Sequence, residues 1–592
     1  MEKLPKKDST LGKCYGTLGA LFRDPPRHLD SRKVRPMSKV LRPGLLLVPC
    51  LLFVTVCYGQ EVANPQTSNL IGDNPLGASP SPATSAENKI PAASPSLNAA
   101  LSPVMPPMSA LRDAILLYRH GKMDAAIEKY RLILRADPSS PEAHAGLARI
   151  YLKQGNVNFA SEAVTDGLKF SNSADLRVAL GEVYFRQGKI PEAEQEWLSV
   201  VNSGSANGRA YLGLARVRNA LSQYAQGKMM IDRARELDKI DPDIELNWNI
   251  TLPLAERIRR LESYLASPDS ADHRADSQHY LDYLKMLNRS AQGISRLINH
   301  GTSTEMPLVR LMVDSEHLRG YGLSVKLNGR KMTLMLDTGA TGILVSRKVA
   351  EKAGITKAAE SRIRGVGDNG ADPGYFGLAS EVKIGDLEFQ DCPVRVLDKN
   401  SVLEDEGLIG TDMFEQFLLN LDFPNQKLRL SALPARPDTD DPSAATTNPT
   451  FRDGYIAEEM QSYTKVYRFG HYLLVPTKVG NVSEKLFLLD TGGFASQITP
   501  AAAREITELR PDSDRVVIGI SGSVNNLYRA EKAILEFGHV RQANQDLAAF
   551  DLTSASQSVG TEIAGTLGLT ALRQMNIKID YRDGLVDFES RR

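Results

Sequence analysis

The chain has 592 residues, 71 basic and 71 acidic, so its formal net charge is zero and it lacks the basic excess of a nucleic-acid-binding protein. Three or four domains are expected at this length. Of the cysteines, Cys14, Cys50 and Cys57 fall in or before one N-terminal apolar stretch, which leaves Cys392 alone and excludes an intrachain disulfide or a cysteine-rich metal site in the remainder. The nine histidines show no ligand spacing, so neither a metal nor another cofactor is expected.

Residues 1–43 are rich in Lys and Arg and lead into the apolar run Leu45 to Cys57. About 13 apolar residues are short for a membrane span and typical of a signal-peptide core, so residues 1–60 read as an export signal. Met37 offers an alternative start, and retention of 44–58 as a short anchor is the second reading, the one case in which a membrane contact is expected. Residues 61–108 follow as a linker of Pro, Ser, Ala and Asn that cannot bury a core and reads as disordered.

From 109 the pattern turns helical and periodic. Gly121, Gly155 and Gly188 recur at spacings of 34 and 33, and Ala126, Ala160, Ala193 and Ala225 at 34, 33 and 32. With Ala136-Asp137-Pro138 closing the first unit, and Leu180-Gly181-Glu182-Val183-Tyr184 and Leu212-Gly213-Leu214-Ala215 in the first helices of later ones, residues 107–242 resemble three to four tetratricopeptide repeats. Stacked repeats form a concave groove that suits an extended peptide or a protein partner. The competing reading is that the helices only brace the C-terminal half of the chain. Residues 243–300 continue as capping helices, with Trp248 and His279 as packing or surface residues.

Two β units of about 120 residues come next, at 305–432 and 466–592, joined by an exposed linker at 433–465 that is long enough to let them pair. In the first, Leu323 to Leu327 and Met332 to Leu336 flank Asn328-Gly329, a strong hairpin signal, and run into Asp337-Thr338-Gly339-Ala340. In the second, Leu473 to Val479 and Leu486 to Leu489 flank a turn at Gly480-Asn481 and run into Asp490-Thr491-Gly492-Gly493. Downstream, Gly407-Leu408-Ile409-Gly410 precedes Phe417 to Phe423, and Gly565-Thr566-Leu567-Gly568 precedes Met575 to Tyr581. The same order of landmarks, twice, marks a duplicated unit.

These landmarks resemble the retropepsin-like and pepsin-like aspartic proteases, in which each lobe contributes one Asp-Thr/Ser-Gly loop and one later apolar-apolar-Gly turn beneath it. The resemblance implies a multidomain chain, an all-α repeat solenoid followed by two all-β acid-protease lobes. It makes Asp337 and Asp490 the catalytic pair, with Thr338 and Thr491 bonding across the lobe interface and Gly339 and Gly492 allowing close backbone approach. It also makes Arg364-Gly365-Val366-Gly367 and Ile518-Gly519-Ile520-Ser521-Gly522 flap candidates, with Gly365, Gly367, Gly519 and Gly522 at the tips. Ordinary surface hairpins are the equal alternative for both. Tyr375 near the first tip is a weak candidate for substrate contact.

Two adjacent carboxylates cannot both ionise cheaply, so such a pair holds one proton. The ionised member deprotonates a water while the protonated one hydrogen-bonds the scissile carbonyl. Ala340 and Gly493 stand where pepsin-like enzymes carry Ser or Thr, which removes a hydroxyl that would lower the carboxylate pKa, so a pH optimum nearer neutrality than pepsin's is expected. An exported endopeptidase cutting polypeptides through one intramolecular dyad is the leading functional reading. Three rivals are pairing of each lobe with its twin in another chain, a non-catalytic repeat scaffold, and an envelope adaptor whose proteolysis is only self-processing.

Overall fold

The computed structural model describes residues 107–590 apart from 268–273, 291–292, 300, 302, 313–314, 317, 399–406 and 437–452. The N-terminal basic and apolar segment expected to act as a signal or anchor, most of the Pro-rich linker and the middle of the interlobe linker lie outside these residues. Among the described helices none is long and apolar enough to cross a membrane.

Eight helices form four antiparallel pairs: α1 (Pro107–Arg119) with α2 (Met123–Ala136), α3 (Pro141–Lys153) with α4 (Val157–Leu168), α5 (Ala174–Arg186) with α6 (Ile190–Asn202), and α7 (Gly208–Ala220) with α8 (Tyr224–Leu237). The turn within each pair needs one left-handed residue, supplied by Gly121, Gly155, Gly188 and, in the fourth, Ser222 at φ 59°. The glycine period stops at 188 because the fourth repeat accepts the strain of a non-glycine residue there, about 1–2 kcal/mol.

The alanine period needs a correction in that same repeat. Ala126, Ala160 and Ala193 are the fully buried fourth residues of α2, α4 and α6, but the fourth residue of α8 is Gly227, and Ala225 is only half-buried. A Cβ at 227 would stand 2.0 Å from the Asn219 side chain, so this pair packs too closely even for alanine. Trp197 of α6 is fully buried and its indole N–H donates to the Val178 carbonyl.

Three further helices follow, α9 (Pro242–Ile250), α10 (Leu254–Ala266) and α11 (Arg274–Leu287). The start of α9 is drawn into the array by charge. Arg209 of α7 donates to Glu182 of α5, Asp241, Asp243 and the Tyr118 hydroxyl of α1, all within 2.7–2.8 Å, and Lys153 of α3 reaches Asp243 at 2.7 Å. A buried guanidinium is tolerable only with partners of this quality. Trp248, one of the two packing candidates, lies under the guanidinium of Arg235 at 3.5 Å from the ring centre.

The β region contains a nine-stranded sheet in the first lobe, an eight-stranded sheet in the second, and a six-stranded sheet shared by both. At the centre of the shared sheet Phe417–Asp422 pairs antiparallel with Met575–Asp580, with Leu419 opposite Ile579 and Leu421 opposite Ile577. These four side chains are fully buried, as the alternating pattern of both segments requires. The described end of the interlobe linker is not an exposed spacer. Ala457 and Met460 pack on Leu585, and Thr464–Lys465 adds a strand to the shared sheet.

Helices brace both lobes. Phe185, Ile190 and Trp197 share one apolar cluster with Leu474, Leu486, Phe550 and Ile563 of the second lobe. Tyr283 of α11 packs on Phe376 of the first, ring centres 4.6 Å apart.

Candidate active site

Asp337 ends strand Arg330–Asp337, which leaves a hairpin turning at Asn328 and Gly329, both with positive φ. Asp490 ends the matching strand Ser483–Asp490. The expected supporting turns are short parallel strands: Gly410 is in register with Asp337, and Gly568 with Asp490. Thr566, the one departure from the apolar pattern, is buried with a hydroxyl that meets no partner among the described residues.

The two Asp loops are laced together through their threonines. The backbone N–H of Thr338 donates to Thr491 Oγ1 (3.1 Å) and that of Thr491 to Thr338 Oγ1 (3.0 Å). Each hydroxyl then donates across the interface, Thr338 to the Leu489 carbonyl (2.7 Å) and Thr491 to that of Leu336 (3.3 Å). All four bonds are buried, so each is costly to lose.

Asp337 and Asp490 are almost wholly buried and their carboxyl groups are in hydrogen-bonding contact. Asp337 Oδ1 accepts the Gly339 N–H at 2.7 Å, and Asp490 Oδ1 accepts the Gly493 N–H at 2.8 Å. Burial first, and the Asp337 charge second, push the Asp490 carboxyl well above the usual carboxylate range. Its Oδ2 receives no donor among the described residues, which a neutral acid tolerates far better than a carboxylate. In the second loop Gly493, like Gly492, brings its backbone N–H to the Asp490 carboxyl. A Cβ at Gly493 would stand 2.5 Å from Asp490 Oδ2, so the Ser or Thr of pepsin-like loops has no room.

Both flap candidates reach the site, and they meet each other. Ser521 N–H donates to the Val366 carbonyl (2.9 Å), Asn369 N–H to the Ser521 carbonyl (2.9 Å), and Gly365 N–H to Ser521 Oγ (3.0 Å). At Gly367, φ is +124° and a Cβ would lie 2.4 Å from the Ser521 carbonyl, so the contact requires glycine. Gly519 and Gly522 flank the second tip, where a Cβ would press on Val366 and Asn369 respectively. Each tip buries its apolar residue in the opposite lobe. Ile520 joins Met335, Leu344, Ile363 and Leu408 of the first, and Val366 joins Val517, Leu527 and Leu552 of the second.

A cleft runs under the flaps, bounded by Asp337, Gly339 to Thr341, Leu344, Arg364 to Asp368, Arg395, His471, Tyr472 and residues between Asp551 and Ser558. Tyr375 is not part of it and is buried in the core of the first lobe.

Several of these residues carried no sequence signal. His471 and Tyr472 follow Gly470 in a tight turn and lie against each other, ring centres 3.8 Å apart. Burial, with the charges of Arg395 and Arg468, holds the His471 imidazole neutral down to about 3. Burial, with the charges of Asp337 and Asp490, pushes the Tyr472 phenol up to about 12. Tyr472 is therefore a neutral hydrogen-bonding group beside the dyad at any working pH. Asp412 accepts from the Thr341 hydroxyl (2.5 Å) and the Gly342 N–H (2.9 Å), and so fixes the loop that follows Asp337.

Residues 323–413 match the aspartyl protease family model, and residues 117–170 a tetratricopeptide repeat model. Among curated proteins, the chain is 30% identical over 110 residues to the UBA domain-containing protein Mud1 of Schizosaccharomyces pombe, covering 18% of this chain and 32% of that protein. It is 30% identical over 108 residues to DNA damage-inducible protein 1 of Chaetomium globosum, covering 18% and 23%. The matched segment spans under a third of the length of these curated relatives. Among solved structures, the aspartic proteinase of Irpex lacteus aligns with 49% of this chain and 97% of its own at 14% identity, with a TM-score of 0.31. The chain joins an N-terminal helical array, part of which matches the tetratricopeptide repeat model, to a β-rich region that resembles aspartic protease folds and whose first lobe matches the aspartyl protease model.

Proposed function

We propose that this chain is an aspartic endopeptidase that hydrolyses peptide bonds in extended polypeptide segments through a single dyad, Asp337 with Asp490. The observation that carries the reading is the reciprocal threonine lacing, which holds the two Asp loops at one shared, buried point. Burial and mutual charge keep one proton on the pair, with Asp490 favoured as its holder. The ionised partner, Asp337, is the base that takes a proton from the attacking water. Asp490, as the acid, donates to the carbonyl oxygen of the scissile bond as the tetrahedral centre forms. As the C–N bond breaks, the leaving amide nitrogen takes the proton now held on Asp337, and Asp490 recovers its proton from a hydroxyl of the tetrahedral centre. Tyr472 contributes a neutral donor beside these carboxyls, and the flaps exclude bulk water.

The basic segment and apolar run at the N-terminus support export to the periplasm or outside the cell, with 44–58 as an anchor if retained. The repeats are proposed to act first as a brace of the second lobe, because their contacts reach the wall of the cleft, and a protein partner would bind on their remaining surface.

The test is cleavage of an unstructured protein by the purified chain between pH 3 and 8, beside Asp337→Asn and Asp490→Asn. Activity lost in both single variants of a monomeric protein supports one shared dyad. A well-folded wild type that cleaves nothing across this range shifts the reading to a non-catalytic scaffold.

A further inference from the structure

Arg395 lies on strand Leu387–Leu397, in register with Leu344 of the parallel neighbour, and reaches the cleft beside Thr341, His471 and Tyr472. One of its Nη groups donates to the Thr341 carbonyl at 2.6 Å. That acceptor is neutral, and among the described residues the guanidinium forms no ion pair. The nearby acid, Asp412, gives its two oxygens to the Thr341 hydroxyl and the Gly342 N–H instead. Three enclosed arginines of this chain are paired with carboxylates: Arg209 with Glu182, Asp241 and Asp243, Arg218 with Glu194, and Arg468 with Glu415. Arg395 differs from these in being a charge partly withdrawn from bulk water with donors to spare, at the edge of the space a substrate would enter.

Two acids that also bound the cleft accept hydrogen bonds, and a second cation, Arg364, lies at its rim on the first flap. Asp368 of the first flap accepts the Asn525 N–H, and Asp551 caps the turn at Thr553 through that residue's N–H and hydroxyl. Of the two cations at the cleft, Arg364 is exposed on the flap and Arg395 is the one partly withdrawn from water, beside Thr341, His471 and Tyr472.

We propose that Arg395 is a specificity-determining residue that pairs with an acidic side chain, Asp or Glu, of the polypeptide substrate next to the bond being cut. The inference rests on the catalytic reading above and names the substrate class for it. A planar guanidinium with free donors takes a carboxylate bidentately, and such a pair formed away from bulk water favours the acid over its amide by about ten- to a hundredfold.

The test uses the full chain and matched peptides that differ only by Asp against Asn, or Glu against Gln, at positions flanking the scissile bond. The expected result is a kcat/KM ratio of about ten to a hundred in favour of the acid in wild type, falling to about one in Arg395→Met. No acid preference in wild type, or a preference unchanged in the variant, overturns the proposal. If Arg395→Met does not fold by circular dichroism, Arg395→Gln serves in its place, and the wild-type ratio stands independently of either variant.

A binding measurement separates the two readings. Peptides in which a hydroxyethylene group replaces the scissile amide, bearing Asp or Asn, are titrated onto wild type and variant. Arg395-dependent preference for the Asp peptide without cleavage of any substrate retains this proposal and removes the catalytic one. Dyad-dependent cleavage of neutral peptides with no acid preference does the reverse.

Discussion

The hydroxyl of Thr561, in the segment that closes the second lobe beside the cleft, donates to the carbonyl of Phe185 in the third repeat at 2.6 Å. Phe185 also packs edge-on against Phe469, two residues before His471. The repeats and the site are thus one packed body at this point. Phe185→Ala is expected to destabilise the protein by about 3–5 kcal/mol, and Thr561→Val by about 1–2 kcal/mol. In both variants the helices and the β lobes should melt in a single transition, followed by circular dichroism at helix- and sheet-sensitive wavelengths. Two separated transitions, with only the first moved, would contradict this.

The threonine lacing makes a prediction about geometry and not only about stability. Thr338→Ala removes two buried bonds and leaves the Thr491 N–H and the Leu489 carbonyl without partners, at a cost of about 2–4 kcal/mol. The same loss is expected for Thr491→Ala, and peptidase activity should fall at least tenfold in each. A double variant much less destabilised than the sum of the two singles is expected, because both sever one network. Additive costs from urea titrations would show the bonds to be independent.

Stability should depend on pH in opposite senses through two buried groups. For Asp490 the folded pKa is raised, so its contribution is fully present below the unfolded value of about 4 and is lost as pH rises through the folded value. Asp490→Asn should therefore be more stable than wild type, with a gap that widens above pH 4. For His471 the folded value is lowered to about 3, so its neutral form supports the fold fully above about 6.5 and that support is lost as pH falls from there towards 3. His471→Gln should flatten the acid limb only. Denaturant midpoints at pH 3 to 8 for the three proteins check both signs.

The flap contact should be sensitive to a single methyl group. In Gly367→Ala the new Cβ meets the Ser521 carbonyl and the backbone must leave its left-handed conformation. The tips then cannot pair as they do, and KM for a peptide is expected to rise about tenfold or more while overall stability falls by about 1–3 kcal/mol. An unchanged KM, measured under initial-rate conditions, would mean that the paired tips are not the form that holds substrate.

Much of the site was legible because duplication repeats its landmarks. Asp337 and Asp490, the strands that carry them and the glycines that face them could be matched from one lobe to the other. The repeat boundaries were legible for the same reason, until the fourth unit exchanged Gly for Ser222 and Ala for Gly227 and the period broke. His471, Tyr472 and Arg395 were not legible, because no equivalent in the other lobe marks them and they converge on the cleft from separate strands. Tyr375 was misplaced because its position near a flap tip says nothing of which face of the strand it occupies. Alternation does say so, since Tyr375 and Gly377 bracket Phe376, the residue turned towards Tyr283.

The sheet shared between the lobes has a consequence for how much of the protein a cell must keep. A site assembled from two separate chains is diluted away when its concentration falls below the dissociation constant of the dimer. Here the second half is supplied by the same polypeptide and pinned by the pairing of Phe417–Asp422 with Met575–Asp580, so its local concentration is constant. If the chain acts through the proposed single-chain dyad, specific activity should not decline on dilution, and each copy would carry a complete site.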